Sequence, residues 1–327
     1  MGISTLKGRS LLSLRDFDAA EITELLDRAA DLKTRARQGE YVQTLAGRNI
    51  ALIFLKPSCR TRVSFVVAAT QSGAHPEIFG REDIRFGIKE SVRDIARVFG
   101  RVFDGVMFRG FEHSTVVEFA EYAGVPVWNG LCDSYHPTQV LADLLTLREN
   151  FGSLVGLPVT YVGDGRNNMA ITLAVAAAKL GLDLRILAPE QLQPAPEQIA
   201  ELLAQAESDQ ARITVTADTE LAVAGSAAVY GDVWVSMGEE EQTRERIDLL
   251  RELKVTTELM ASTGRTDTIY LHCLPAFHGQ DTETAIAHPD ICEVDDDVFE
   301  GEQSRVFDQS ENRMHTAKAL MQLTIAG

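Results

Sequence analysis

Residues 54–65, which read FLKPSCRTRVSF, combine side chains that can bind a small anion. The apolar run 50–55 predicts a buried strand, and Pro57 and Ser58 interrupt it before a helix-like stretch opens at Arg60. The N–H groups and the dipole of a helix N-terminus attract anions, and a guanidinium can bind phosphate through two hydrogen bonds. The segment therefore predicts a phosphate-type site; the alternative is a Ser-capped helix with solvated arginines.

Polar side chains also follow other predicted strands. In chain order they are Arg109, the HPTQ sequence at 136–139, GDGRNNM at 163–169, Asp232 and Cys273. Ligands bind beyond the carboxyl ends of the strands in open α/β sheets, so these positions are expected to contribute to a site. Each one alone is a weak indicator, because surface arginines, core histidines and buried cysteines are common without any catalytic role.

The elements that position these residues alternate between strand and helix. Predicted strands cover residues 49–55, a short stretch near Ile78, 105–108, 125–128, 158–162, 184–187, 213–216, part of 227–235 and 269–273. Predicted helices cover residues 16–39, 61–72, 90–100, 116–124, 136–151, 169–180 and 312–324. This alternation predicts an α/β protein with two doubly wound parallel-sheet domains linked by long helices.

Breaks in this pattern suggest domain boundaries. Gly152 follows the long helix 136–151, so we expect a first domain over residues 1–150 and a second over 151–310. Residues 311–327 form a last helix with no strand after it, which we expect to pack back on the first domain.

Composition limits the class of protein. The chain has 327 residues, 45% of them hydrophobic, and a formal net charge of −17, which argues against nucleic acid or an anionic membrane as a partner. The four cysteines form no CxxC pair, so reduced thiols and a cytoplasmic location are expected. Neither a secretory signal nor a membrane span is predicted. GDGRNN lacks the third glycine of a dinucleotide fingerprint, which disfavours a nicotinamide-dependent oxidoreductase.

The motifs together resemble the ornithine carbamoyltransferases of the aspartate/ornithine carbamoyltransferase family over essentially the whole chain. The strings that carry the resemblance are FLKPSCRTR (54–62), MFRGF (107–111), WNGL (128–131), HPTQ (136–139), GDGRNNM (163–169), DVWVSMGE (232–239), HCLP (272–275) and ENRMHT (311–316). DVWVSMG together with HCLP favours ornithine over aspartate or putrescine as the acceptor. The resemblance implies that the δ-amine of ornithine attacks carbamoyl phosphate to give citrulline and phosphate.

The resemblance also implies roles for individual residues. Catalytic roles fall to Arg109, His136, Asp232 and Cys273. Carbamoyl phosphate would contact Ser58, Cys59, Arg60, Thr61, Arg85, Arg109, His136, Pro137, Thr138, Gln139, Cys273, Leu274 and Arg313. Ornithine would contact Asn168, Asp232, Ser236 and Met237.

Assembly and cofactors follow from the same resemblance. The family forms homotrimers, or multiples of trimers, with sites at subunit boundaries, and Arg85 would reach a neighbour's phosphate. No metal and no other cofactor is expected, because the arginines supply the positive charge that the reaction requires. Carbamoyl phosphate and L-ornithine are the expected small-molecule partners.

Two positions depart from the family pattern. Cys59 stands where most members have Thr or Gly, and Val66 replaces a Glu. Cys59 is expected to serve through its backbone N–H, so a tolerated replacement is the simple interpretation. The altered loop, with residues 84–91, also resembles a smaller branch of enzymes that phaseolotoxin-type antimetabolites do not inhibit.

Two other interpretations stay open at the level of sequence. The chain could transfer the carbamoyl group to another amine in a specialised pathway, or it could be a non-catalytic homologue that binds a ligand or a partner. The direction of flux, biosynthetic or catabolic, is left open by the residues.

Overall fold

The computed structural model describes residues 5–235 and 240–327. The strands within those ranges are β1 Asn49–Phe54, β2 His75–Gly80, β3 Gly105–Arg109, β4 Val127–Leu131, β5 Pro158–Val162, β6 Asp183–Leu187, β7 Arg212–Thr216, β8 Ala228–Gly231 and β9 Ile269–His272. The α-helices described there are α1 Ala19–Arg37, α2 Cys59–Gln71, α3 Val92–Val102, α4 His113–Ala123, α5 Pro137–Phe151, α6 Asn168–Leu180, α7 Pro196–Ala204, α8 Thr219–Val223, α9 Thr243–Leu250, α10 Thr257–Ser262, α11 Glu283–Ala287, α12 Asp296–Phe299 and α13 Val306–Ile325.

The strands form two separate parallel sheets. The first has the order β2-β1-β3-β4 and the second the order β7-β6-β5-β8-β9, with every pairing parallel. Each sheet is built outward in both directions from its first strand, which is the doubly wound arrangement. The predicted fold class is therefore confirmed.

The reversal of strand order locates the ligand-binding edge of each sheet. It lies between β1 and β3 in the first sheet and between β5 and β8 in the second. Loops on the two sides of such a reversal run apart and leave a crevice at the carboxyl ends of the strands. The sequence places residues 55–58 and Gly110 in the first crevice, and 163–167 and Asp232 in the second.

The chain divides into two compact units. One consists of the described residues up to Leu145 together with Ser310–Gly327, and the other is Thr146–Gln309. Both divisions fall inside helices, α5 and α13. In the first unit, an apolar layer centred on Ile53, Phe108 and Phe119 packs under the sheet.

Helix starts follow from local capping. Asp18 caps α1 by accepting a hydrogen bond from the Glu21 N–H at 2.8 Å, and Glu21 Oε2 accepts from the Asp18 N–H at 2.9 Å. This reciprocal pair is a capping box. Ser91 caps α3 in the same general way, accepting from the Asp94 N–H at 3.1 Å. Side chains thus satisfy N–H groups that the first turn of a helix leaves unpaired.

Candidate active site

In the first unit, the predicted anion site lies at the N-terminus of α2. Ser58 is its capping residue, and Ser58 Oγ accepts a hydrogen bond from the Thr61 N–H at 3.2 Å. Cys59 is exposed and Arg60 is half-buried, so both remain accessible to a ligand. Thr61 is fully buried, and its hydroxyl accepts from Arg313 Nη2 at 2.7 Å. Arg313, in the last helix α13, thus contacts the capped first turn of α2.

Arg109 adds a second buried guanidinium to this unit. It is the last residue of β3, the neighbour of β1, and only 5% of it is exposed. Its Nη1 donates to the Gly130 carbonyl at 3.4 Å. A Cβ at Gly130 would clash with Met107 Sδ, so a larger residue would crowd the strand that carries Arg109.

His136 lies among these cations and is itself buried. Burial, then the charges of Arg313, Arg109 and Arg60, hold its pKa well below the ordinary value for histidine. The imidazole is therefore neutral at physiological pH and does not add a further positive charge. A neutral imidazole can donate one hydrogen bond and accept another.

The start of α5 supplies the remaining residues of the HPTQ motif. Pro137 is its first residue, and Thr138 Oγ1 lies 3.5 Å from His136 Nδ1. Gln139 is 1% exposed, and its Nε2 donates to Asp143 Oδ1 at 2.8 Å. This bond orients the amide, and Gln139 Oε1 has no hydrogen-bond partner among the described residues. A buried amide oxygen without a hydrogen-bond donor suits a ligand that carries an N–H group.

Arg85, predicted to contact phosphate, lies on the surface of the first unit. It is exposed, in the loop between β2 and α3, and its Nη2 forms an ion pair with Glu82 at 3.2 Å. Within the described chain, no hydrogen bond joins Arg85 to the other predicted phosphate residues. Its role in a neighbouring subunit stays a prediction.

In the second unit, Asp232 is the centre of a buried hydrogen-bond group. It follows β8 and is 2% exposed. Cys273 Sγ donates to Asp232 Oδ1 at 3.1 Å, and the Val233 N–H donates to the same oxygen at 2.9 Å. Tyr161, from the adjacent strand β5, donates to Asp232 Oδ2 at 2.9 Å. Both carboxylate oxygens are therefore held in place.

The electrostatics of this group are set by burial. Burial raises the pKa of Asp232, although His272 and the bonds from Cys273 and Tyr161 oppose the increase. Burial and the Asp232 charge raise the pKa of Tyr161 well above its ordinary value, so the phenol remains a donor. Asp232 thus has a perturbed carboxyl group at the crevice of the second sheet, which is typical of functional sites.

The turn after β5 is ordered by ion pairs. Asp164 binds Arg166 Nη2 at 2.9 Å and also pairs with buried Arg246. Burial tends to raise the pKa of Asp164, but its bonds to the two arginines outweigh burial and lower it. Asn168, predicted to bind ornithine, is the first residue of α6 and is half-buried. Ser236 and Met237 lie outside the described residues.

Leu274 follows Cys273 and adopts an unusual backbone conformation. Its φ of +58° is the one left-handed value among the described residues other than glycine. The conformation is uncommon for a branched side chain and marks a tightly determined turn.

Two features of the described ranges concern metal ions and membranes. There, no group of three or more His, Cys, Asp or Glu side chains is arranged to hold a metal ion. Among the same residues, no helix has the length and apolar character required to cross a bilayer.

Family models match nearly the whole chain. The carbamoyl-P binding domain of aspartate/ornithine carbamoyltransferase matches residues 9–149, and the Asp/Orn binding domain of the same family matches residues 155–324. The chain belongs to the aspartate/ornithine carbamoyltransferase family. The predicted resemblance is thereby confirmed.

Several individual relatives of this chain are named ornithine carbamoyltransferases. It is 50% identical over 325 residues to "Ornithine carbamoyltransferase 2, phaseolotoxin-insensitive" of Pseudomonas syringae pv. actinidiae, covering 99% of each chain. It is also 50% identical to the catabolic ornithine carbamoyltransferase of Bacillus licheniformis, covering 98% of this chain and 97% of the relative. The solved ornithine carbamoyltransferase from Pyrococcus furiosus superposes with a TM-score of 0.91 at 38% identity, covering 100% and 99% of the two chains.

Sequence reasoning missed two residues of this carbamoyltransferase-family site. Tyr161 lies within an apolar strand pattern and shows no polar signal, although it follows from strand pairing once β5 and β8 are known to be neighbours. Asp143 lies in α5 four residues after Gln139, a spacing that places two side chains on one helix face and that could have revealed it.

Proposed function

We propose that this protein is an ornithine carbamoyltransferase, which transfers the carbamoyl group of carbamoyl phosphate to the δ-amine of L-ornithine. The observation that carries the proposal is the neutral, buried His136 among the guanidiniums of Arg60, Arg109 and Arg313. Cations beside a neutral hydrogen-bond donor suit a substrate with an anionic phosphate and an uncharged carbonyl. The 50% identity to proteins named ornithine carbamoyltransferase supports the same substrates.

The phosphate half of the reaction depends on fixed positive charge. Arg60 and the N–H groups at the start of α2 would bind the phosphate oxygens, with Ser58 and Cys59 contributing at the same helix end. Phosphate departs with the electron pair of the bond that breaks, so its negative charge increases during transfer. Preorganised cations stabilise that increase without reorganisation.

The carbonyl half depends on neutral hydrogen-bonding groups. As the amine attacks, charge develops on the carbonyl oxygen, and donors from His136, Arg109 and Thr61 would stabilise it. Gln139 Oε1 would accept from the carbamoyl NH₂, because its other end is fixed by Asp143. Arg313 and the Leu274 carbonyl would hold the same group.

The acceptor half centres on Asp232 and Cys273. The δ-amine must be neutral to attack, although the pKa of a free lysine-like amine is about 10.4. Asp232 and Asn168, with Ser236 and Met237, would hold the α-amino and carboxylate ends of ornithine. Cys273 would lie against the δ-amine, and its Sγ–H donates to Asp232 at 3.1 Å. The amine nitrogen forms the new C–N bond, and its proton leaves with the released phosphate or solvent.

The decisive experiment is citrulline formation by the purified chain with carbamoyl phosphate and a panel of amines. We expect ornithine to be the preferred acceptor over putrescine, lysine and aspartate. Preference for another amine would replace this function with a different carbamoyltransferase activity. No transfer to any amine, with carbamoyl phosphate still bound, would indicate a non-catalytic homologue.

Arg60→Ala tests the phosphate half. Loss of a charged hydrogen-bonding partner costs about 1.5–3 kcal/mol, which corresponds to a roughly 10- to 100-fold fall in kcat/KM for carbamoyl phosphate. Arg62→Ala is the matched control, since Arg62 is an exposed arginine of the same helix. Unchanged kinetics of Arg60→Ala would remove this residue from the site.

We further propose a cytoplasmic homotrimer, or a multiple of trimers, with Arg85 reaching a neighbouring subunit's phosphate. The exposure of Arg85 and its loop supports this. Mixing inactive Arg109→Ala and Arg85→Ala chains should restore activity if sites are shared between subunits. Recovery no greater than the sum of the separate variants would contradict sharing.

Insensitivity to phaseolotoxin-type antimetabolites is a finer proposal. Support comes from Cys59 at the exposed start of α2 and from the name of the Pseudomonas syringae relative. We expect Cys59→Thr to increase inhibition by a phosphosulfamyl-ornithine inhibitor while activity is kept. Equal inhibition of both proteins at the level of an ordinary homologue would refute the proposal.

A further inference from the structure

The turn after β9 is held by two buried side chains that carry no assigned role in the reaction. His272 Nδ1 accepts a hydrogen bond from the Leu274 N–H at 2.9 Å, and Glu293 Oε1 accepts from the Phe277 N–H at 2.8 Å. His272 Nε2 lies 3.2 Å from the same Glu293 oxygen, and the two side chains are 0% and 1% exposed. The pair therefore contacts both ends of the turn 273–277.

The direction of the amide bond fixes the histidine tautomer. Because His272 Nδ1 accepts from an N–H group, the ring proton of the neutral imidazole is on Nε2, which faces Glu293. His272 Nδ1 thus orients the Leu274 N–H, while Nε2 lies beside the Glu293 carboxyl group. Rotation of the ring would break both contacts together.

Both members of the pair are anchored to other parts of the second unit. The Val255 N–H donates to the Glu293 carbonyl at 2.9 Å, and the Asp295 N–H donates to the Val255 carbonyl at 2.9 Å. The His272 N–H donates to Gln309 Oε1 at 2.9 Å. The turn is consequently held against fixed backbone on two sides.

An apolar pair would fill the same space at lower electrostatic cost. Burial raises the pKa of Glu293 against the opposing effect of His272, so ionising this carboxyl group is unfavourable. A buried imidazole beside a buried carboxyl group costs desolvation that hydrophobic side chains of similar volume would avoid. What the pair supplies in particular is the direction of two turn N–H groups, one of them at left-handed Leu274.

We propose that His272 and Glu293 are positioning residues that fix the turn 273–277, and with it the Cys273 thiol and the Leu274 carbonyl, for carbamoyl transfer. The catalytic meaning of this inference rests on the proposed function. Neither residue is required to touch a substrate. They act by keeping Cys273 at hydrogen-bond distance from Asp232 and by aiming the Leu274 carbonyl.

Two His272 variants separate the contacts. In His272→Asn, the side-chain oxygen can accept from the N–H two residues later, as in an Asx turn, but does not reach Glu293. In His272→Ala, both contacts are lost. Misplacement of a reacting group by about 1 Å costs on the order of 100-fold in rate, so we expect about that loss of kcat in His272→Ala. We expect His272→Asn to recover most of it.

The readout is the division between kcat and KM. Of the proposed carbamoyl phosphate contacts, only Cys273 and Leu274 belong to the turn, while those of α2, Arg109 and His136 lie in the other unit. We therefore expect kcat to fall by a much larger factor than KM for carbamoyl phosphate rises. Glu293→Gln, which keeps an oxygen acceptor for Phe277, and Glu293→Leu, which does not, form a second pair with the same expected order. Equal kcat in wild type, His272→Ala and Glu293→Leu would overturn the proposal, as would losses of thermal stability alone.

Amide hydrogen exchange tests the turn without reference to activity. We expect faster exchange at Leu274 and Phe277 in His272→Ala and Glu293→Leu than in their conservative partners. Unchanged exchange would overturn the proposal even if citrulline formation fell. If wild type forms no citrulline, the proposed function fails, while faster exchange would still establish that the pair holds the turn.

Discussion

Replacement of Tyr161 by Phe removes one oxygen atom from the Asp232 group and leaves the ring in place. The Tyr161 ring is fully buried and stacks on Tyr230 with centroids 6.1 Å apart, so the aromatic packing should persist. The hydroxyl donates to Asp232 Oδ2 at 2.9 Å and lies 3.2 Å from the Asp164 carbonyl. The change therefore acts mainly on the carboxylate.

The size of the effect follows from the kind of bond that is lost. A hydrogen bond to a charged group contributes about 1.5–3 kcal/mol. Its loss raises the pKa of Asp232 further, in the same direction as burial already does, because the ionised carboxylate loses a donor. If ornithine binds the ionised carboxylate, the acidic limb of kcat/KM for ornithine moves to higher pH.

Citrulline formation across a pH series, with ornithine varied, measures this shift directly. The loss in Tyr161→Phe should be about 10- to 100-fold on the acidic limb and should shrink as pH rises past the new pKa of Asp232. Tyr270→Phe is the matched control, because Tyr270 is fully buried and its hydroxyl has no hydrogen-bond partner among the described residues. An acidic limb that stays in place in Tyr161→Phe would refute the reasoning.

Two further predictions concern single contacts. Thr61→Val removes the hydroxyl that accepts from Arg313 at 2.7 Å and should raise KM for carbamoyl phosphate about 10-fold, measured in the same assay; an unchanged KM would show that the bond does not shape the site. Asp232→Asn should abolish transfer yet raise the melting temperature at about pH 8 by a few degrees. Since the folded-state pKa of Asp232 is raised, its ionised form destabilises the fold above that pKa, and the cost disappears at acidic pH, where the group is protonated in both states. Calorimetry at about pH 8 and pH 4 checks this, and an equal gain at both values would contradict it.

Much of the fold could be predicted because long elements carry their own periodic signals. The strand predicted at 158–162 is observed with those bounds, and the helix predicted at 61–72 is observed as Cys59–Gln71. The strand predicted at 125–128 is displaced to Val127–Leu131. Leu11, far away in sequence, pairs with this strand through hydrogen bonds to Val127 and Asn129, which local patterns do not reveal.

The short helices of the second unit and the start of the last helix are harder to predict from sequence. Helices α8 to α12 have four to eight residues each, too few for a clear periodicity, and depend on tertiary packing. The sequence pattern predicts the last helix from residue 312, but the helix begins at Val306, whose buried side chain belongs to the core of the second unit. The start of this helix is therefore determined by the packing of Val306 and not by the ENRMHT motif.

The site shows the same division between local and distant information. The strand-end rule located Arg109, Asp232 and Cys273, because polar residues directly follow apolar runs. It could not reveal that Tyr161 holds Asp232, since that contact requires the order of strands in the sheet. Nor could it show the neutral state of His136, which arises from burial and from arginines far apart in sequence.

The division of the first unit between the two ends of the chain affects how the protein is made. Ser310–Gly327 belongs to that unit, and Trp128 Nε1 donates to Thr324 Oγ1 at 3.1 Å within it. A ribosome must therefore complete all of Thr146–Gln309 before Arg313 emerges to meet Thr61. The second unit, continuous in sequence, can fold during synthesis, while the first completes its anion site only after the last helix is released. The part of the protein translated first is thus the last to mature.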